Sequence, residues 1–125
     1  MMEFDAINIP ARPPQVEQFV DQFLTAICDS SRRHILECLS SLNIEDTPRE
    51  LPAGSIAEHL GLAASTTSEH LKQLSDMHLL TSRKEGKKIY YRVRNQDLVR
   101  TFQGLILSLE QHYQSNILPP PTAEA

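Results

Sequence analysis

The most constraining feature of the sequence is Gly61, which lies between two short segments with helical patterning. The first segment ends in Leu60-Gly61, and glycine readily adopts the left-handed conformation that terminates helices. The second segment, Ala64–Asp76, places Leu71 and Leu74 on one face. Because the connection is so short and contains glycine, the sequence predicts a helix-turn-helix.

Ser55 and Glu58 suggest where the first of these two helices begins. Serine at the N-cap and glutamate three residues later form a capping box, in which each side chain accepts a hydrogen bond from a backbone amide. The preceding stretch, Asn43–Gly54, contains Pro48 and Pro52 among charged residues. This stretch is therefore predicted to be a loop, although a long one.

Two strand-like segments follow the helix-turn-helix. Leu79–Lys84 and Lys88–Val93 flank Glu85-Gly86-Lys87, and the second is rich in isoleucine, tyrosine and valine. A short glycine-containing connection between such segments is typical of a β-hairpin. The sequence therefore predicts a hairpin directly after the second helix.

Three further helices are indicated by apolar spacing. Val16–Ile27 carries one continuous apolar stripe, and Ile35–Leu42 carries another after the good N-cap residues Asp29, Ser30 and Ser31. A last helix is predicted to begin near Gln96 or Asp97. The predicted fold is therefore mainly α with a small β-hairpin.

The first and last helices are more apolar than a compact domain of this size can cover by itself. Large exposed apolar patches mark interfaces, so we expect these two helices to form a homodimer interface. The predicted interface residues are Val16, Phe19, Val20, Phe23, Leu98, Phe102, Leu105, Leu109 and Tyr113.

Charge is distributed unevenly along the chain. The formal net charge is −4, but 65–100 holds eight basic and four acidic residues, while the remainder holds four basic and twelve acidic. A locally basic segment in an acidic protein is what contact with a polyanion requires. Taken alone, the pattern is equally typical of a solvated basic surface.

Composition and motifs limit the class of protein. The chain has 125 residues, 40% of them apolar, which predicts one small domain. No apolar run exceeds three residues, so we expect no membrane span and a cytoplasmic protein. Phosphate-binding glycine loops, zinc-protease motifs and nucleophile elbows are missing, so we expect neither catalysis nor a cofactor.

Cys28 and Cys38 are the two cysteines, and their spacing forms no Cys-x-x-Cys pair and no disulfide framework. One hypothesis is a redox switch, provided that the fold brings the two thiols together. The alternative is that they serve as small apolar side chains, which is the commoner role of buried cysteine.

Prolines mark both ends of the chain. Met1–Pro14 contains three prolines, and Asn116–Ala125 contains three more in a small, polar tail. Both segments are predicted to be flexible arms. The single domain is therefore expected to span 15–115.

Four segments together resemble one protein family. Asp29–Leu39 opens the second helix, Ile56–Leu62 covers the third helix and its turn, Ser65–Leu74 covers the next helix, and Arg83–Tyr91 carries an Arg…Glu-Gly…Tyr-Tyr pattern on the hairpin. At these spacings they resemble the ArsR/SmtB family of bacterial transcriptional repressors. The resemblance implies a winged helix-turn-helix homodimer that binds double-stranded DNA at an inverted-repeat operator, with Ser65–Leu74 in the recognition helix and the hairpin as the wing.

The recognition helix carries the residue types that DNA contact requires. Small polar side chains can approach base edges in the major groove, and basic side chains beside them can reach phosphates. His70 could either meet a phosphate or pack against the protein. The predicted DNA-contacting residues are Ser65, Thr66, Ser68, Glu69, His70, Lys72, Arg83, Lys84, Lys87, Lys88 and Arg92.

Metal-sensing members of this family use a Cys-x-Cys pair before the third helix or oxygen and nitrogen ligands along the last one. The resemblance aligns the pair with Pro52 and Gly54, which have no ligating side chains. The last-helix positions fall at Asp97, Val99, Glu110 and Tyr113. Val99 leaves that set incomplete and His112 alone does not replace it, so no metal site is predicted.

Two other hypotheses remain open from the sequence. One is a winged-helix module that binds a protein partner through its acidic half and does not bind DNA. The other is a regulator that responds to an organic ligand between the first and last helices, or to thiol oxidation. A mobility-shift experiment separates the first from a DNA-binding regulator, and adding candidate effectors tests the second.

Overall fold

The computed structural model describes residues 11–42 and 49–119 of the chain. Helices account for most of these residues, and three short strands between them form a small antiparallel sheet. In chain order the elements are α1 Pro14–Ile27, α2 Ser30–Ser41, β1 Leu51–Pro52, α3 Ala53–Leu60, α4 Ala64–Asp76, β2 Leu80–Glu85, β3 Lys88–Val93 and α5 Gln96–His112, followed by a π-helical turn at Tyr113–Ile117.

The α1–α2 corner is fixed by a side-chain cap. Asp29 takes the N-cap position of α2, where its Oδ2 accepts a hydrogen bond of 2.9 Å from the Arg32 amide. This hydrogen bond is the main cause of a pKa for the Asp29 carboxyl below its usual value. The cap therefore stays formed at neutral pH and weakens only as acid protonates Asp29.

The helix-turn-helix is confirmed, with α3 ending at Gly61. Gly61 has a φ of 68°, and the Leu62 amide donates to the Ala57 carbonyl at 2.9 Å. A residue with a Cβ would be strained in this conformation. The buried face of α4 is Thr67, Leu71 and Leu74, as the spacing predicts.

The predicted loop before α3 is wrong over its last four residues, and the predicted capping box is wrong. Leu51–Pro52 forms a strand, and α3 starts at Ala53 with Pro52 at its N-cap and no side-chain cap. Ser55 is therefore inside the first turn and cannot cap it. Of the rest of the predicted loop, 49–50 have no regular structure and 43–48 lie outside the described residues.

The predicted hairpin is one part of a three-stranded sheet with strand order β1-β3-β2. Its two long strands pair from Leu80 opposite Val93 to Glu85 opposite Lys88, and β1 adds Leu51 opposite Tyr91. Gly86 has a φ of 64° in the connection, which favours glycine for this tight turn. Together, β2, β3 and the turn between them form the wing.

The core is formed mainly by α2, α4 and one face of the sheet. Leu80, Tyr91 and Val93 on that face are buried, so alternate residues point to the outer face of the wing. Leu51 packs against the same core, which explains why a two-residue strand can hold its place. The remaining buried cluster residues are Ile35, Leu36, Leu39, Ile56, Leu71, Leu74, Leu79, Val99 and Phe102.

The domain limits differ slightly from the expected ones. Pro14, assigned to the N-terminal arm, begins α1, because proline is accommodated in the first helical turn. Asn116 and Ile117, assigned to the C-terminal tail, belong to the π-helical turn. Residues 1–10 and 120–125 of the predicted arms lie outside the described residues.

Candidate nucleic-acid interface

The outward face of α4 presents the small polar side chains that the sequence indicated. Ser65, Thr66, Ser68 and Glu69 are exposed, while Thr67 between them is buried. The Thr67 hydroxyl donates to the Ala63 carbonyl at 2.9 Å and so stays inside the protein. This alternation leaves α4 with one face in the core and the opposite face available to a partner.

A cleft of about 810 Å³ joins α4 to the wing and to the start of α3. Ser68 and Lys72 line it from α4, and Lys87 and Lys88 line it from the wing. The fold thus brings four predicted contact residues, from two separate segments of the chain, to one surface. The further lining residues are Pro52, Ala53, Gly54, Ser55, Glu58, Ile89 and Tyr91.

Ser55, Glu58 and Ile89 belong to this cleft but were not predicted as contact residues. Ser55 and Glu58 had been interpreted as caps, and Ile89 as a strand residue. Ser55 and Glu58 line the cleft because α3 starts as early as Ala53, and Ile89 lines it because the first residues of β3 are exposed. No local sequence pattern signals this, because α3 and the wing meet only in the folded chain.

His70 lies against α2, which favours packing over the phosphate contact that the sequence left open beside it. Its side chain is only 15% exposed, with Nε2 3.9 Å from Asp29 Oδ2. Its Nδ1 lies 3.4 Å from an Arg32 guanidinium nitrogen. The spacing predicted the helix correctly, but it could not indicate that the start of α2, more than 30 residues earlier in the chain, would lie against this imidazole.

Arg32 hydrogen-bonds to residues of two other helices, a role that the sequence analysis did not predict. Its Nε donates to the Ala26 carbonyl at 2.8 Å, and its Nη1 donates to Gln73 Oε1 at 2.9 Å. It thereby connects the end of α1 and the start of α2 to the last turn of α4. The only local signal was its place three residues after the Asp29 cap.

Arg83 and Arg92 lie on the outer face of the wing. Arg83 pairs with Tyr90 across the hairpin, and Arg92 follows at the next position of the same face. Both are thus directed away from the face that packs against α4. Arg83 also bonds to Glu50 and Glu85, so its guanidinium already has partners within the protein.

The predicted dimer residues fall into two groups. Val16, Phe19, Leu105, Leu109 and Tyr113 are exposed. Val20 is partly buried, whereas Phe23 and Leu98 pack against the core. Phe102 is only 4% exposed, and its assignment to the interface is wrong because its ring fills the protomer's own core. The exposed apolar residues missed from the sequence are Leu24, Leu107, Ile117 and Leu118.

The metal positions considered from the sequence do not converge. Val99 is a core residue, while the carboxylate of Asp97 is 94% exposed and accepts from Arg100. The His112 ring contacts the Asn116 amide nitrogen. Over 11–42 and 49–119, no group of three or more histidine, cysteine, aspartate or glutamate side chains could hold a metal ion.

Cys28 and Cys38 are free thiols in different settings. Cys28 is exposed at the end of α1, and Cys38 is partly buried in α2. Burial raises the pKa of the Cys38 thiol, which keeps it protonated and less nucleophilic at neutral pH. The small-apolar interpretation therefore suits Cys38, and no disulfide joins it to Cys28.

The fold and this surface define a winged helix-turn-helix protein with a polar recognition helix beside a lysine-bearing wing. Comparison with solved structures agrees. The homodimeric winged helix-turn-helix DNA-binding domain of a possible ArsR-family regulator from Mycobacterium bovis superposes with a TM-score of 0.71 at 23% identity, covering 91% of this chain and 99% of that one. NolR from Sinorhizobium fredii gives a TM-score of 0.62 at 27% identity, covering 82% and 96%.

Sequence comparison gives the family. Residues 29–82 match the model of bacterial regulatory proteins of the arsR family. The arsenical resistance operon repressor of Staphylococcus aureus is 37% identical over 82 residues, which is 66% of this chain and 72% of that protein. The chain belongs to the ArsR family, and it is a transcriptional regulator and not an enzyme. Every helix in the described ranges is too short or too polar to cross a bilayer.

Proposed function

We propose that this chain is a homodimeric repressor that binds an inverted-repeat operator, with α4 in the major groove and the wing on the phosphate backbone. The observation that carries the proposal is the cleft in which Ser68 and Lys72 of α4 face Lys87 and Lys88 of the wing. Three ammonium groups around one cleft favour a polyanion, and short polar side chains beside them permit close approach to base edges.

The proposed contact set is narrower than the set predicted from the sequence. Base edges are assigned to the exposed side chains of α4, and phosphates to the lysines of α4 and the wing. Lys84 stays in the set because it shares with Ile89 the wing face that lines the cleft. The proposed contacts are Ser65, Thr66, Ser68, Glu69, Lys72, Lys84, Lys87 and Lys88.

Dimerisation is proposed through α1 and α5. Exposed apolar side chains lie on both helices, including Phe19 on α1 and Leu105, Leu109 and Tyr113 on α5. Water-exposed apolar area of this extent is unfavourable in a monomer. The M. bovis domain of the same fold is homodimeric, which supports the same arrangement here.

The proposal is tested by capturing genomic fragments on the purified protein and footprinting the fragment that binds best. We expect two protected half-sites about 10 bp apart, because two recognition helices of a two-fold dimer enter successive major grooves. Failure to retain any fragment above a random-sequence control would favour the protein-interaction hypothesis.

Substitutions in α4 and in the wing are expected to have different effects. Ser68→Ala and Glu69→Ala should change base preference, because these side chains face the groove. Lys87→Ala and Lys88→Ala should weaken binding to all sequences and lower the slope of log affinity against log salt by about 0.9 for each lost phosphate contact. Binding to operator and scrambled DNA is measured over a salt series, and equal effects of both pairs would contradict the groove assignment.

Zinc, cadmium and arsenite are not expected to release the operator at micromolar concentration. The pair position holds Pro52 and Gly54, and Val99 is buried where a ligand would be needed. An incomplete ligand set loses affinity and the geometry that couples binding to a dimer change. Each ion is titrated into the preformed complex beside a His112→Ala variant. Release by zinc that this variant abolishes would establish a metal site on α5.

A further inference from the structure

An ionic cluster on the outer face of the wing joins the sheet to the residue that precedes β1. Arg83 Nε donates to Glu50 Oε1 at 3.1 Å, and its Nη2 donates to the same oxygen. Arg83 Nη1 donates to Glu85 Oε1 at 2.7 Å, and the guanidinium carbon lies 4.7 Å from the centroid of the Tyr90 ring. All three guanidinium nitrogens therefore have a carboxylate partner within the protein.

This cluster connects the two outer strands of the sheet. β1 is only two residues long and pairs with β3, while Arg83 is on β2 at the opposite side of the sheet. Glu50 immediately precedes β1, so its contact with Arg83 passes over Tyr90 and connects the two outer strands. Arg83 thus fixes the angle between the wing and the segment that leads into α3.

Arg83 differs from the wing lysines Lys87 and Lys88 in having carboxylate partners within the protein. The Arg83 guanidinium faces two carboxylates, so its charge is already balanced within the protein, and Arg92 adds a second favourable charge near Glu50. The hydrogen bonds that Arg83 donates to Glu50 are the main cause of a pKa for that carboxyl below its usual value. By contrast, Lys87 and Lys88 form no salt bridge with any residue that the structure describes, and they line the cleft.

We infer that Arg83 is a positioning residue for DNA binding: held by Glu50, Glu85 and Tyr90, it sets the wing so that Lys87 and Lys88 face α4, and it does not itself contact phosphate. This inference rests on the proposed function. It assigns a role in the wing to Glu50, an acidic residue that a contact-based account of DNA binding would treat as unfavourable.

The sign of the Glu50→Gln effect tests the inference. If Arg83 only positions the wing, Glu50→Gln and Arg83→Ala each weaken operator binding about threefold, as expected for a half-exposed ion pair. The double variant should then be little worse than either single variant, because both remove the same interaction. If Arg83 were a phosphate contact held back by Glu50, Glu50→Gln would tighten binding, and that result would overturn the inference.

Salt dependence and a charge exchange supply independent readouts. Arg83→Ala should leave the salt slope unchanged, whereas the control Lys87→Ala lowers it by about 0.9. Exchanging the two charges, Glu50→Arg with Arg83→Glu, should recover affinity lost in Arg83→Glu alone. A lowered slope in Arg83→Ala, or no recovery in the exchange variant, would contradict a positioning role.

Amide hydrogen exchange keeps the test separate from the proposed function. Arg83→Ala and Glu50→Gln should both reduce amide protection in β1 and β3, with protection in α2 unchanged. Wild-type protein and Lys87→Ala report on DNA binding itself. If both variants lose protection but the wild-type protein binds no DNA, the proposed function is rejected and the positioning role of Arg83 in the wing is retained. Unchanged protection in both variants would reject that positioning role.

Discussion

Leu105→Glu is expected to convert the protein from a dimer to a monomer and to abolish specific operator binding. Leu105 is 49% exposed on α5 and lies outside the protomer core, so a carboxylate there costs the monomer little. In the proposed interface the same carboxylate would be buried without a partner, which strongly disfavours association. Sedimentation should give about 14.1 kDa instead of twice that mass.

The loss of DNA affinity in Leu105→Glu should be large because one half-site alone binds weakly. We expect operator affinity to fall by about 10³-fold or more, towards the level of nonspecific DNA. Gln111→Glu is the matched control, since it adds the same charge at an exposed position of α5 that lies about 120° around the helix from Leu105 and about 160° from Leu109. A dimeric Leu105→Glu protein with normal affinity would place the interface elsewhere.

Phe102→Ala is expected to lower the free energy of unfolding by about 3 to 5 kcal/mol, the usual cost of emptying a buried aromatic site. Phe102 lies only three residues before Leu105 but is 4% exposed and belongs to the core cluster. Urea denaturation at several protein concentrations measures the effect.

Concentration dependence separates the two residues. Leu105→Ala should destabilise only by weakening the dimer, so its effect should be absent where the protein is monomeric and should appear as protein concentration rises into the range where the wild type dimerises. The Phe102→Ala effect should remain at every concentration, because the cavity is inside each protomer. A Phe102→Ala loss of under about 1 kcal/mol would show that the ring is not packed as described.

Periodic segments were predictable because their apolar spacing and their caps agree. The α4 face of Leu71 and Leu74, the Gly61 terminus and the wing each follow from local rules that the tertiary structure does not override. These features were also sufficient to identify the family. The exposed α4 face and the wing lysines follow directly from the same periodicity.

The remaining features depend on contacts between distant segments. The strand at Leu51–Pro52 is too short to have a pattern, and it exists because β3 offers an edge and the core accepts Leu51. Phe102 and Leu105 belong to one apolar stripe, and only the packing of α2 against α5 decides which is covered. Likewise, His70 finds Arg32, and Arg83 finds Glu50, more than 30 positions away in the chain.

The hydrogen bonds of Arg32 have a consequence for regulation. Since Arg32 connects the end of α1 to Gln73 in α4, the recognition helix cannot tilt alone without breaking them. In the proposed dimer, each half would then turn as one rigid body about the α1–α5 interface, with α4 at the end far from that interface. An effector that rotates the two halves slightly at that interface would change the spacing between the recognition helices, and operator affinity would be lost through spacing alone, with every DNA-contacting side chain unaltered.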